Sequence, residues 1–235
     1  MCLNIAMSTL PYLDIHTHRR LSVQNSVTVG SLSVDDLTIL KTTCDHSTAG
    51  IHPWWLEDYT ADEITQLQKK IELMVEKQLL WGIGETGLDR SMPELMDLQK
   101  GLFLWHMQLA EKNDLPLMIH NVRAGADFLE ILKTHKPKGP WIFHDFRGNE
   151  QLVQDLLRLH PLCFFSFGLS IDNSPQIREL LPSMPLENLF LETDDQKHLD
   201  IHDIHLRAAH HLGVDLEFLK SQVWHNFKKI SRTKH

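Results

Sequence analysis

The sequence predicts an α/β fold, a TIM-like (β/α) barrel, and three observations carry the prediction. Short apolar runs alternate with helix-period segments along the chain. Several of those runs end on a histidine, glutamate or aspartate. The length of 235 residues is close to the roughly 250 that one such barrel takes. Parallel barrel strands all end on one face, so polar residues closing successive apolar runs converge there although they lie far apart in sequence.

The elements follow in order. Apolar runs of buried-strand length read as strands at 12–15, 49–52, 80–84, 115–119, 141–143, 163–167 and 189–192. Between them, apolar residues recur with helical period at 61–76, 95–112, 126–132, 150–158 and 177–181, and again at 204–212 and 215–229. The interval 19–49 is rich in Ser, Thr and Val; it offers a short strand near 27–29 and no strong amphipathic helix. The barrel is therefore expected to be degenerate around its second βα unit. No repeat, low-complexity tract or linker interrupts residues 1–235, which are expected to form one domain.

Composition narrows the class. A hydrophobic content of 42% with 23% charged residues suits a soluble globular protein, and no apolar stretch approaches the ~18 residues of a membrane span. The N-terminal residues lack the basic and apolar regions of a secretory signal, so the expected location is cytoplasmic, with neither a membrane nor an obligate protein partner indicated. Cys2, Cys44 and Cys163 are odd in number and far apart, which argues against a disulfide framework and a thiolate metal cluster. A net charge of −8 gives little general attraction for polyanions. The 16 histidines include His202, His205, His210 and His211 at helical spacing; without a strand-end carboxylate beside them they read as solvated or packed.

Six residues stand apart as candidate metal ligands. They are His16 and His18 in Leu-Asp-Ile-His-Thr-His, Glu85 in Gly-Ile-Gly-Glu-Thr-Gly, His120 in Leu-Pro-Leu-Met-Ile-His, His144 in Trp-Ile-Phe-His, and Asp194 in Leu-Phe-Leu-Glu-Thr-Asp. Side chains alternate along a strand, so His-x-His places two imidazoles on one side. The glycines around Glu85 allow close backbone approach; they are not a dinucleotide fingerprint, which requires a third glycine at a helix opening. Each residue alone is weak. As a set they are hard to explain without cations, because each unmet buried polar demand costs about 1–3 kcal/mol.

These motifs, with Gly50-Ile51-His52-Pro53, Ile83 to Asp89 and Asn226-Phe227, resemble the TatD family of metal-dependent hydrolases in order along most of the chain. The resemblance implies a one- or two-metal centre with His16, His18, Glu85, His120, His144 and Asp194 at the family's ligand positions. Glu85 would bridge, with His16, His18 and Asp194 on one cation and His120 and His144 on the other; Zn, Mn or Mg would serve. Glu85 and Asp194 are the expected catalytic groups, Asp194 orienting or deprotonating a water whose pKa a cation lowers to about 7. Four departures cluster near the expected mouth. His144-Asp145-Phe146-Arg147-Gly148 carries Asp145 where the family has cysteine, and Arg123 falls one place later than the family's arginine. Trp54 replaces the second histidine of Gly-x-His-Pro-His, and Asp195-Gln196 replaces Ser-Pro.

The activity this implies is a deoxyribonuclease that cleaves phosphodiester bonds, with short or single-stranded DNA ends as substrate. Arg123 and Arg147 are the expected phosphate contacts, since guanidinium forks match phosphate oxygens, and His52 is the expected mouth residue for substrate contact or proton transfer. The same chemistry could serve an amidohydrolase, an esterase or an aminoacyl-tRNA deacylase. A non-enzymatic metal scaffold is disfavoured, because structural zinc sites are closed with four ligands and often hold cysteine.

Overall fold

The computed structural model describes residues 10–19, 23–33, 44–196 and 198–231. Eight strands run in chain order round one sheet: β1 (Tyr12–Thr17), β2 (Ser26–Leu32), β3 (His46–Ala49), β4 (Gly82–Asp89), β5 (Leu117–Val122), β6 (Trp141–Phe143), β7 (Cys163–Phe167) and β8 (Leu189–Leu191). Each neighbouring pair is parallel. The ring closes just past β8, where Asp194 N–H donates to the His16 carbonyl and His18 N–H to the Asp194 carbonyl, both at 3.0 Å. The TIM-like barrel expected from the sequence is thus observed.

The helices are α1 (Ala61–Glu76), α2 (Met96–Lys112), α3 (Gly125–His135), α4 (Glu150–Leu159), α5 (Ser170–Asn173), α6 (Pro175–Leu180), α7 (Ile201–Leu212) and α8 (Leu216–Ile230). In α1 the buried Ile64, Leu67, Ile71, Met74 and Val75 form one stripe at helical spacing, and Thr60 with Glu63 closes a reciprocal cap at its start. Between sheet and helices lies an aromatic core: Phe103 of α2 meets Phe128 of α3 at 5.2 Å and Trp141 of β6 at 5.3 Å, edge to face. No helix among the described residues is long and apolar enough to cross a membrane.

The strand boundaries depart from the sequence reading where it mattered most. The third strand was expected at 49–52 but runs His46–Ala49; small Ser47 and Thr48 are buried in it, whereas Pro53 opens a 3-10 turn capped by the His52 side chain. The fourth was expected to stop at Gly84, yet β4 continues to Asp89. Its register against β5 slips by one residue between Ile83 and Thr86, so Glu85 sits at a bulge within the strand rather than at its end. A bulge re-aims one side chain and lets pairing resume beyond it. Gly84 makes this possible: its φ is +121°, and a Cβ there would lie 2.3 Å from the Met118 carbonyl oxygen. His120 likewise lies inside β5.

The connection from β1 to β2 is only the eight residues 18–25, shorter than the dozen or more of a helical crossover, so the first βα unit is a shortened one. For the second unit, residues 34–43 lie outside the described residues.

Candidate metal centre

All six predicted ligands come together: His16 on β1 and His18 just past it, Glu85 on β4, His120 on β5, His144 just past β6, and Asp194 in the segment after β8. Glu85 is the hub. One carboxylate oxygen lies 3.5 Å from His16 Nε2 and 3.2 Å from His18 Nε2. The other lies 3.0 Å from His52 Nε2, 3.1 Å from His120 Nδ1 and 2.6 Å from His144 Nε2. Asp194 Oδ1 stands 3.5 Å from both His16 Nε2 and His18 Nε2.

The donor set fits divalent cations. Three groups bring one ligand atom each within 4.8 Å of one another: His16, His18 and Glu85; His16, His144 and Asp194; and His52, Glu85 and His120. Nδ1 of His16 is buried without a hydrogen bond, and Nε2 of His16 and of His144 have carboxylate oxygens for neighbours, an arrangement that is costly unless something else takes the lone pairs. The third group brings His52, expected from sequence at the mouth, into the cluster itself; its side chain is buried.

Electrostatics agree with a demand for positive charge. Burial would raise the Glu85 pKa, but the charges of His144 and His52 and hydrogen bonds from His120 and His144 hold it well below the usual carboxylate range. Asp194 is likewise lowered to about 2, burial being outweighed by its hydrogen bond to and attraction for His16. Burial favours neutral His144, yet Glu85 and Glu192 push its pKa well above an ordinary imidazole. His18 is raised for the same reasons, chiefly against burial by Glu85. His52 behaves oppositely: burial outweighs Glu85 and lowers it. These shifts favour the charged forms of Glu85 and Asp194, the charge that a cation at this place would meet.

Three further residues support the cluster and were not singled out from sequence. Asp89 Oδ2 lies 3.4 Å from His120 Nε2 and accepts from the Trp54 indole Nε1–H at 2.7 Å. Fully buried Glu192 accepts the Asp145 N–H at 2.7 Å and the Ser166 hydroxyl, with His144 Nδ1 at 3.8 Å. Asp14 accepts from Thr193 N–H at 3.0 Å and its hydroxyl at 2.6 Å, steadying the turn that leads to Asp194. A signal was present for Glu192, which closes the apolar run 189–192, and a weaker one for Asp89, which ends the motif Ile83 to Asp89. Burial, which decides whether such a carboxylate faces the site, is invisible in one sequence.

The cleft over the cluster encloses 270 Å³ and is lined by His18, Ser31, Ser33, His52, Trp54, Trp55, Glu85, His120, His144, Asp194 and Asp195. Arg123 and Arg147 are not in that lining. Arg123 is exposed just beyond β5, and Arg147, half-exposed, is paired with Asp145 at 2.8 Å. The set-aside histidines lie on α7: His205 is buried against the Leu13 carbonyl at 3.0 Å, and His202 packs on Tyr12.

A family model described as TatD related DNase matches residues 14–231. An uncharacterized metal-dependent hydrolase TatD of Mycobacterium tuberculosis is 31% identical over 141 residues, covering 57% of this chain and 53% of that protein. A 3'-5' ssDNA/RNA exonuclease TatD of Pantoea ananatis is 28% identical over 212 residues, covering 78% of this chain and 76% of that one. The matches with the first four curated relatives span 53 to 58% of those proteins' length. In fold, the chain is similar to the crystal structure of YJJV, a TatD homologue from Escherichia coli, with a TM-score of 0.80 at 17% identity, covering 96% of this chain and 99% of that one.

Proposed function

This chain belongs to the TatD family of metal-dependent hydrolases, and from that premise we propose that it hydrolyses phosphodiester bonds at the ends of short or single-stranded DNA. The observation that carries the proposal is one buried carboxylate, Glu85, within 3.5 Å of five imidazoles and beside a second carboxylate at the foot of an open cleft. On this reading the set would serve two cations, with His16, His18, Glu85 and Asp194 suited to one and His52, Glu85 and His120 to the other, and with His144 near Glu85 and grouped with His16 and Asp194. Bound cations would lower the pKa of water toward 7 and stabilise charge on the phosphoryl oxygens.

The chain's own groups do the rest. In the reaction a water oxygen bonds to phosphorus, the bond from phosphorus to one sugar oxygen breaks, and a proton ends on that oxygen. Asp194, partly exposed at the cleft, orients the water and accepts its proton; Glu85 is spent on holding the imidazoles. Asp89 and Glu192 fix His120 and the backbone after His144, as the outer partners of metal ligands commonly do. The exonuclease name of the Pantoea ananatis relative points to the same substrate class. Arg123 and Arg147 serve a strand that extends past the cleft, Arg147 only by giving up Asp145.

The test is cleavage of short single-stranded DNA across Mg, Mn, Co and Zn, beside simple carboxyl esters and amides. DNA cleavage that needs metal, falls with rising salt and is lost in Asp194→Asn supports the reading. Efficient ester or amide hydrolysis with intact DNA overturns it in favour of an amidohydrolase.

A further inference from the structure

We propose that Trp54 is a stacking platform for the nucleobase adjoining the scissile phosphate; the proposal rests on the phosphodiesterase reading above. Among the described residues, seven large hydrophobic side chains are exposed, and Trp54, 59% exposed, is the one that lines the metal cleft. It stands where the family pattern has a histidine, so its role is not inherited from that pattern.

The ring is held although it is open to solvent. Its Nε1–H donates to Asp89 at 2.7 Å, and its backbone N–H donates to His52 Nδ1 at 3.1 Å. Its plane meets His52 edge-on at 5.0 Å and His120 at 5.6 Å. The indole and His120 thus share one carboxylate oxygen of Asp89, which ties the ring's position to an imidazole of the metal cluster. A fixed aromatic surface loses little freedom when a flat ligand settles on it. An exposed, anchored indole beside a hydrolytic centre is suited to a flat, unpaired base, and every base offers a π-face to it.

Charge points the same way. Among the described residues the cleft lining contains no Lys or Arg and includes Glu85, Asp194 and Asp195, and the chain carries −8 overall. This described lining offers phosphate no basic side chain within the cleft. Inside it, apart from the cations, retention of a strand end falls to its bases.

The experiment is equilibrium binding by calorimetry, on metal-replete protein, of a single-stranded tetradeoxynucleotide with phosphorothioate linkages and of the same strand with abasic residues at both ends. Wild type should bind the intact strand at least about fivefold more tightly, the low end of a base–aromatic stack, with quenching of tryptophan fluorescence. Trp54→Ala should erase that difference by weakening only the intact strand, and Trp54→Phe, which keeps a ring without the Nε1 donor, should retain most of it. Equal wild-type binding of both strands, or a difference that survives in Trp54→Ala, overturns the platform while leaving the phosphodiesterase reading intact. Equal loss of both strands in Trp54→Ala also overturns it, since Trp54 would then act through Asp89 and His120. If wild type binds neither strand yet hydrolyses carboxyl esters, the phosphodiesterase reading falls and the platform falls with it.

Discussion

At the residue scale, Glu85 and Asp89 are separated by four positions on one strand and do different work. Glu85 touches five imidazoles, so Glu85→Gln keeps the shape and removes the charge that opposes two cations. Metal content of protein purified without chelator should fall at least about 100-fold in affinity terms, more than the 10- to 100-fold usual for groups behind the ligands. Asp89→Asn should stay inside that lower range, because Asp89 reaches the cluster only through His120 and Trp54. Elemental analysis with a competing chelator ranks the two variants. A Glu85→Gln protein that still holds two ions would remove Glu85 from the centre.

The scale of elements explains what could be read in advance. Helix 61–76 was legible to the residue because its apolar stripe and its ends are local properties; so were the strands at 141–143 and 163–167. The convergence of His16, Glu85, His120, His144 and Asp194 was legible because barrel topology turns a list of run ends into one place. The bulge that carries Glu85 and the inward turn of His52 were not, since both depend on how β4 packs on β5 and on what the loop after β3 touches. That loop is tied down by α2. Buried His106 accepts the Ile51 N–H on Nε2 at 3.0 Å, while its Nδ1 meets the Leu102 carbonyl at 2.8 Å and the Thr86 hydroxyl at 3.0 Å. An accepting Nε2 is an unprotonated one, so the imidazole is neutral with its proton on Nδ1. Burial lowers its pKa to about 4 from the ordinary 6.5. Between those values the unfolded chain binds the extra proton, so this contribution is complete above pH 6.5 and is lost as pH falls toward 4. At pH 5 the loss is about 2 kcal/mol. Asp14, raised to about 7 chiefly by burial, works in the opposite sense over the same range, so the comparison has to be between proteins. Urea midpoints at pH 7.5 and 5 should move less in His106→Gln than in wild type. An equal movement would deny His106 this role.

For the whole molecule, the weak place in the barrel and the metal centre coincide. In its backbone the β1–β8 closure is the bridge at Thr17 and Asp194 with two hydrogen bonds, donated by Asp194 to His16 and by His18 to Asp194, and Thr193 adds its N–H and hydroxyl, both donated to Asp14. His16, His18 and Asp194 are three of the proposed ligands, and Asp194 holds a positive φ of 52° there, a conformation that costs a non-glycine residue and persists only when its surroundings enforce it. Cations held between His16, His18, Asp194 and Glu85 would fasten β1 to the end of β8 and both to β4, joining the seam to the opposite part of the sheet. A ligand that binds only the folded state adds about 2.7 kcal/mol at a hundred times its dissociation constant. For a chain of this size each kcal/mol moves the melting temperature by roughly 2–4 °C. Removing metal with a chelator should therefore lower Tm by about 5–10 °C, and adding it back should restore the loss. Glu85→Gln should melt near the chelated wild type and respond little to chelator or metal, whereas Arg147→Ala, whose guanidinium pairs with Asp145 outside the cleft lining, should keep the full response. A wild-type Tm indifferent to chelator under conditions that strip its metal would separate the seam from the centre, and closure would then rest on the backbone bridge and the Asp14–Thr193 hydrogen bonds.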